Sequence, residues 1–440
     1  MIRRLFSSQL RINMVSGVSS TTISFLANII AYPVYLHFLG YETFGVWLIL
    51  ATVLTFTQLG TLGIAPGVTK LIAEDYNSGN LRGVQSYVFT AMAFLFSFGI
   101  SIFLIILLLK SQIIALFKLS DGNAELASHF LPYIGALTIL ALVMQVLTAT
   151  LSGLGRMDIA NYIQASSRVL AVVVSVILLL SGFGIMSLVI SSLLQYIYIQ
   201  VISVIFIHKT VSVQLMQISN WDTLRLKKLL HFGGGIFGGG IISMLLSPFN
   251  KLMLSRYVGL EAIPVYEIAY YGAFQCRSLL EAGFRALMPE VSKLQIDQTA
   301  ISREKIHRIN KKAFYLIVII GTPFYILLFL LSTPLLKLWL QDRFVDALPP
   351  AFRIMLVGTF FTLLMVPSLY ILMGFGQTKR VFFSYVIQSV INVLIVFISL
   401  LCFKSLTINT VVLAASIGMM CSMIYVIWQK KILIHKFSAE

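Results

Sequence analysis

Apolar stretches of about 20 residues recur along almost the whole chain, each long enough to cross a hydrocarbon core of roughly 30 Å as a helix. Read from the sequence, the spans are 12–38, 44–66, 84–109, 130–153, 160–181, 184–207, 230–254, 262–290, 313–336, 349–374, 381–402 and 406–429. Residue content agrees: 58% is hydrophobic and only 11% charged, against roughly a quarter charged in soluble domains. The expected fold is therefore an all-α integral membrane protein with twelve transmembrane helices.

The chain also repeats itself. Phe38 to Trp47 (F-L-G-Y-E-T-F-G-V-W) is echoed by Tyr257 to Tyr266 (Y-V-G-L-E-A-I-P-V-Y), Pro66 to Leu71 by Pro289 to Leu294, and G-L-G-R at Gly153 by G-F-G-Q at Gly374. The offsets are nearly equal, so two tandem halves are expected. With six spans in each, both halves enter the membrane from the same side, as parallel repeats. Segments on the side of the N-terminus hold 21 Lys and Arg residues and those on the opposite side 6, which places both termini in the cytoplasm. The expected organisation is an N-terminal six-helix lobe at 1–208, a cytoplasmic linker at 209–229 and a C-terminal six-helix lobe at 230–440. This asymmetry accounts for most of the formal charge of +16, leaving little for a nucleic-acid partner to explain.

Several chemistries find no support. The longest loops, 208–229 and 291–312, are too short to bury an aqueous core. The basic run in the second (Arg303, Lys305, Arg308, Lys311, Lys312) is expected to anchor a helix end at anionic lipid. Arg3, Arg4 and Arg11 precede a first apolar helix longer than a signal-peptide core, so no cleaved leader is expected. Cys276, Cys402 and Cys421 lie within spans without paired spacing, and the histidines show no H-x-x-x-H arrangement, so neither disulfide nor metal site is expected. A G-x-x-x-x-G-K-[ST] loop is missing. The glycine cluster from His231 to Ile241 opens a span, and reads either as close helix packing or as a pliable segment. No acidic pair flanks a large loop, as a sugar polymerase or transferase would require. The sequence argues for transport, not catalysis.

Ionisable residues at membrane depth are the candidate functional residues, because each needs a wet cavity or a partner. The first half has Arg168, in the fifth span. The second has Lys251, Glu267, Arg277, Glu281, Arg285, Glu290 and Arg353, five of them on the eighth span. Glu267, Arg277, Glu281 and Arg285 fall within an arc of about 80° on a helix, a stripe expected to face inward. Alternatively, Arg277, Glu281 and Arg285 form an i, i+4 ladder that neutralises itself. Lys251 and Arg353 are placed either to line the interior or to snorkel. Arg168 has no acidic residue within a turn of its own helix. Basic residues outnumber acidic ones in this set, so an anionic cargo is expected, and guanidinium forks suit phosphate. Asn13, Ser16, Ser20, Ser24 and Asn28 form a polar face on the first span, to bind sugar hydroxyls or to join neighbouring helices. Pro33 and Pro248 are expected to bend the first and seventh spans.

The six-plus-six arrangement, F-L-G-Y-E-T-F-G-V-W after the first span and the G-x-G turns after the fourth and tenth resemble Wzx-type polysaccharide flippases. These share a superfamily with the MATE drug exporters and the lipid II flippase. The resemblance covers the whole chain. It implies movement of an undecaprenyl-diphosphate-linked oligosaccharide, an O-antigen or capsule repeat unit, to the outer leaflet of a bacterial inner membrane. It further implies alternating access around a cationic cavity, with a proton or sodium ion for coupling and no other cofactor. Residues matching such a cavity are Arg168, Arg277 and Arg285, then Lys251, Arg353 and Asn28, with Glu267 or Glu281 to carry the coupling ion. Polysaccharide-assembly proteins are the partners that this role implies. A MATE-like multidrug or cation antiporter, a lipid II-type flippase and a membrane-embedded enzyme are the alternatives. An acidic residue within the first-half bundle, expected of a cation exporter, is missing from the first six spans.

Overall fold

The computed structural model describes residues 8–59, 63–211, 221–281, 284 and 300–439. Among these the regular structure is helical throughout: α1 (Ser8–Leu59), α2 (Ile64–Asn77), α3 (Leu81–Leu108), α4 (Lys110–Phe117), α5 (Asp121–Gly153), α6 (Met157–Leu180) and α7 (Met186–Val211), then α8 (Thr223–Tyr257), α9 (Ala262–Glu281), α10 (Ala300–Leu340), α11 (Leu348–Gly374), α12 (Thr378–Phe403) and α13 (Ile408–Ala439). Nine segments among the described residues are long and apolar enough to cross a membrane, the first of them, Val15–Thr55, covering the first span and most of the second. Spans seven and eight correspond to α8 and α9, which are outside that count.

Two expectations need correction. The second span does not run unbroken to residue 66: α1 ends at Leu59, and α2 starts afresh after Gly63, whose φ of 72° no helix interior permits. The basic run at 303–312 is not a loop but the opening of α10. Its helical spacing sets Ile306 and Ala313 inward and leaves Lys305, Arg308, Lys311 and Lys312 in solvent. Glu304 pairs with Arg308 at 2.7 Å, one turn on, and Ile306 packs with Leu369, Leu372 and Phe375.

The chain divides into two compact units, Met1–Gly238 and Gly239–Glu440, with the division inside the glycine-rich stretch of α8. In the first, α5 is the central helix, packed against α1, α2, α3 and α7. Ile64 and Val68 of α2, Val88 and Leu95 of α3, Leu142 and Leu147 of α5 and Leu229 of α8 share its core. In the second, α11 is central, against α9, α10 and α13. In hydrocarbon, helices associate through close van der Waals approach at small residues. Accordingly a methyl on Gly358 of α11 would lie 2.8 Å from Ser416 Cα of α13, and one on Gly153 would lie 2.8 Å from the Thr69 carbonyl.

The opening of α8 is fastened to the first unit by charge. The Asp222 carboxylate accepts from the amides of Leu224 (2.8 Å) and Arg225 (3.2 Å). Slight burial pushes that carboxyl up, but these amides and the Arg225 guanidinium outweigh it and hold it below its usual range. Arg225 also reaches Asp75 at 2.8 Å and the Gly83 carbonyl at 3.1 Å, and stands 4.5 Å from the Tyr87 ring centre.

The sequence echoes have a backbone counterpart. Gly40, which breaks α1, has φ 70°, and Gly259, third residue of the matching motif, has φ 125°. Gly155 and Gly376 stand at φ 78° and 67°. Each caps its helix alike: Gly155 N–H to the Ser152 carbonyl and Arg156 N–H to Leu151, Gly376 N–H to Met373 and Gln377 N–H to Leu372, the paired bonds of a Schellman cap. Gly376→Val is expected to lose about 1–2 kcal/mol of stability because a β-branched residue resists this conformation. Gly376→Asn should lose a fraction of that. Chemical unfolding of the purified protein in detergent measures both.

Candidate functional site

The two units each carry a charged cluster among their helices. In the first unit, Arg168 projects from α6 and donates through Nη2 to Asn28 Oδ1 of α1 at 2.8 Å. Two turns further along both helices, Tyr35 and Ser175 share a hydrogen bond of 2.8 Å. No carboxylate among the described residues lies within ion-pair distance of Arg168. A neutral amide thus orients the guanidinium without cancelling its charge.

The rest of the polar face of α1 divides by role. Asn13 Oδ1 accepts from the Asp158 amide (3.0 Å) and from Gln9 Nε2 (3.1 Å), while Asn161 Nδ2 donates to Ser16 Oγ at 3.0 Å. Gln9 also donates to Asp158 Oδ1 at 3.0 Å, and Arg156 Nε reaches the same oxygen at 3.2 Å. For Asn13 and Ser16 the helix-joining alternative is the one the geometry shows, since both bind α6 directly. Asp158, Asn161 and Gln9 went unnoticed in the sequence because they lie beside the expected spans or outside the charged set.

In the second unit the interior charges are mostly paired. Lys251 Nζ of α8 stands 2.8 Å from Glu267 Oε2 of α9, and both side chains are nearly sealed, at 7% and 6% exposure. Lys251 therefore does not snorkel. Beside it Asn250, fully buried, donates through Nδ2 to the Tyr266 hydroxyl at 3.0 Å. Tyr266, Tyr270 and Phe274 stack successively along α9, at 5.6 Å and 6.3 Å between ring centres. The Arg277 guanidinium stands 5.3 Å from the Phe274 ring centre and pairs with Glu281 at 3.0 Å. Glu281 Oε1 also accepts from the Tyr370 hydroxyl of α11 at 3.1 Å. The buried Nε of Arg277 has no acceptor among the described residues.

Arg353 on α11 is held by α10. Its Nε donates to Ser332 Oγ (2.7 Å) and to the Phe329 carbonyl (3.2 Å), and Nη2 donates to Thr333 Oγ1 (2.9 Å). These acceptors sit just before Pro334, which has no N–H to give the preceding turn. Arg353 thus braces a proline-weakened turn, with no carboxylate beside it among the described residues. Arg285 and Glu290 lie outside the described residues. The structure brings together Asn28 with Arg168, Lys251 with Glu267, and Arg277 with Glu281, while Arg353 stands apart from these pairs. No group of His, Cys, Asp and Glu able to hold a metal occurs among the described residues.

Known proteins share both the fold and stretches of the sequence. The chain is 23% identical over 356 residues to a Shigella flexneri protein named "Putative O-antigen transporter", covering 78% of this chain and 79% of that one. A multidrug resistance MATE family transporter of the MOP superfamily, solved in an inward-facing conformation, superposes with a TM-score of 0.78 over 98% of each chain at 14% identity. A MOP superfamily transporter from Pyrococcus furiosus, described as having a binding pocket of reverse polarity, gives a TM-score of 0.62 at 16% identity, over 97% of this chain and 96% of that one. The fold is therefore that of MATE-like transporters. A family profile described as "Polysaccharide biosynthesis protein" matches residues 37–349, and the chain belongs to that family.

Proposed function

We propose that this protein is a flippase that carries an undecaprenyl-diphosphate-linked oligosaccharide, an O-antigen or capsule repeat unit, from the cytoplasmic to the periplasmic leaflet of a bacterial inner membrane. The reading includes twelve spans in two parallel sets of six, both termini in the cytoplasm, and ion-coupled alternating access. Membership of the polysaccharide biosynthesis family and the name of the Shigella flexneri relative support it. The observation that carries it is the Arg168 guanidinium, embedded in an apolar helix and oriented by an uncharged amide.

A sugar diphosphate cannot cross hydrocarbon unaided, because each polar group stripped of water and left unpaired costs several kcal/mol. Arg168 offers the diphosphate a fork of N–H donors and a charge that no neighbouring carboxylate quenches. Asn28 fixes the fork's direction. Arg277 contributes by a different route: its Nε is vacant, and phosphate oxygens can replace Glu281 on the remaining nitrogens. Arg285, Lys251 and Arg353 complete the proposed basic set, and Glu267 or Glu281 carries the coupling proton or sodium ion. A cationic cargo would have to displace the cation that Glu267 and Glu281 each already face within 3.0 Å. A lipid II-type flippase shares the diphosphate chemistry and differs in the group attached to it.

Arg168→Ala is expected to abolish surface polysaccharide in a complementation assay while membrane abundance is unchanged, and Arg168→Lys to restore part of it because the charge returns without the fork. Normal polysaccharide from Arg168→Ala removes the proposal's footing. Arg277→Met should lose roughly 3–5 kcal/mol of stability by stranding Glu281 in a dry setting. The double variant Arg277→Met, Glu281→Gln should recover most of that loss in unfolding measurements and still make no surface polysaccharide.

A further inference from the structure

The two carboxylates of α9 are neutralised by different kinds of cation, and the difference bears on which ion can reach them. Glu281 faces a guanidinium, which stays charged under any physiological condition, and receives a tyrosine hydroxyl as well. Glu267 faces a lysine ammonium, a compact charge on a flexible stem. The 2.8 Å contact between Lys251 Nζ and Glu267 Oε2 joins two nearly sealed side chains. The ammonium is the counter-charge that this buried carboxylate would otherwise need from a bound cation. The adjacent Asn250 is fully buried, and its Oδ1 lacks a donor among the described residues. Carboxylate and amide oxygens are the ligands that hard cations prefer.

We propose that Lys251 is a tethered counter-cation, filling with its ammonium the place that an alkali ion would otherwise take beside Glu267. Lys251 thus sets ion selectivity at this site. It bars sodium from Glu267 by occupancy. In its consequence for coupling this rests on the carrier reading above; in its geometry it rests on α8 and α9 of the second unit alone.

The test uses the purified full-length protein in detergent at fixed pH and ionic strength. Thermal unfolding is followed while sodium chloride replaces choline chloride, so no cargo is involved. Wild type is expected to show no sodium-specific shift. Lys251→Ala, extracted and held in sodium, potassium or ammonium chloride, should unfold at a higher temperature than in choline. That midpoint should rise with the logarithm of the cation concentration, as for any ligand that binds only the folded state. The rise should vanish in Lys251→Ala, Glu267→Gln. A sodium-specific shift in wild type that Glu267→Gln removes overturns the proposal. So does a Lys251→Ala protein that gains nothing from any of the three cations, or that none of them allows to be recovered folded. If the shifts follow the expectation while Glu267→Gln still exports polysaccharide normally, the ion site stands and its part in the carrier cycle falls.

Discussion

Hydrocarbon supplies no hydrogen bonds, and a polar group buried in these helices is costly unless it finds a partner within the chain. That single constraint explains which contacts the structure contains. It makes helices the regular element throughout the described residues, and it closes α5 and α11 with carbonyls capped by Gly155 and Gly376. It puts Arg353 on the acceptors before Pro334, and it pairs Lys251 with Glu267 and Arg277 with Glu281. Arg168 meets the constraint with a neutral partner. An amide oxygen stands beside it instead of a carboxylate, so part of its potential remains for a ligand to use.

The distinction between paired and unpaired charge changes how the interior should be regarded. By composition, basic residues outnumber acidic ones there. By geometry, two of the cations are already matched in the second unit, so among the described residues the excess is local to Arg168 and, in a structural role, Arg353. In the proposed carrier, affinity for an anionic cargo would then depend less on a general positive field than on one oriented guanidinium, with further cations available where a ligand outcompetes an internal carboxylate. Such exchange suits a carrier, which has to release what it binds.

Local features of the chain were readable from residue order; pairings between helices were not. The glycines of F-L-G-Y-E-T-F-G-V-W and of the two G-x-G turns announce sharp backbone turns, and the structure has positive φ at Gly40, Gly155, Gly259 and Gly376. Lys251, Glu267, Arg168 and Asn28 stand out as polar residues in apolar surroundings. Which of them meet depends on how neighbouring helices rotate and slide, and a single sequence carries no record of that. The start of α10 was legible in principle: Ile306, Ile309 and Ala313 recur at helical spacing beneath the basic residues, but the weight of charge hid it. Asp75, Asp222 and Arg225 escaped notice because each lies in a segment that reads as a connecting loop.

Helix α8 belongs to neither unit alone. Its first turns are secured by Arg225 to Asp75 and by Leu229 in the core of the first unit, and its last turns carry Asn250 and Lys251 against α9 in the second. A gene cut into two half-length pieces therefore has no neutral place to be severed. Dividing it between α7 and α8 deprives the first piece of its own closing helical turns, and dividing it at the glycines interrupts a continuous helix. The joining segment is thus a structural part of both units, and neither can be recovered intact by simple excision.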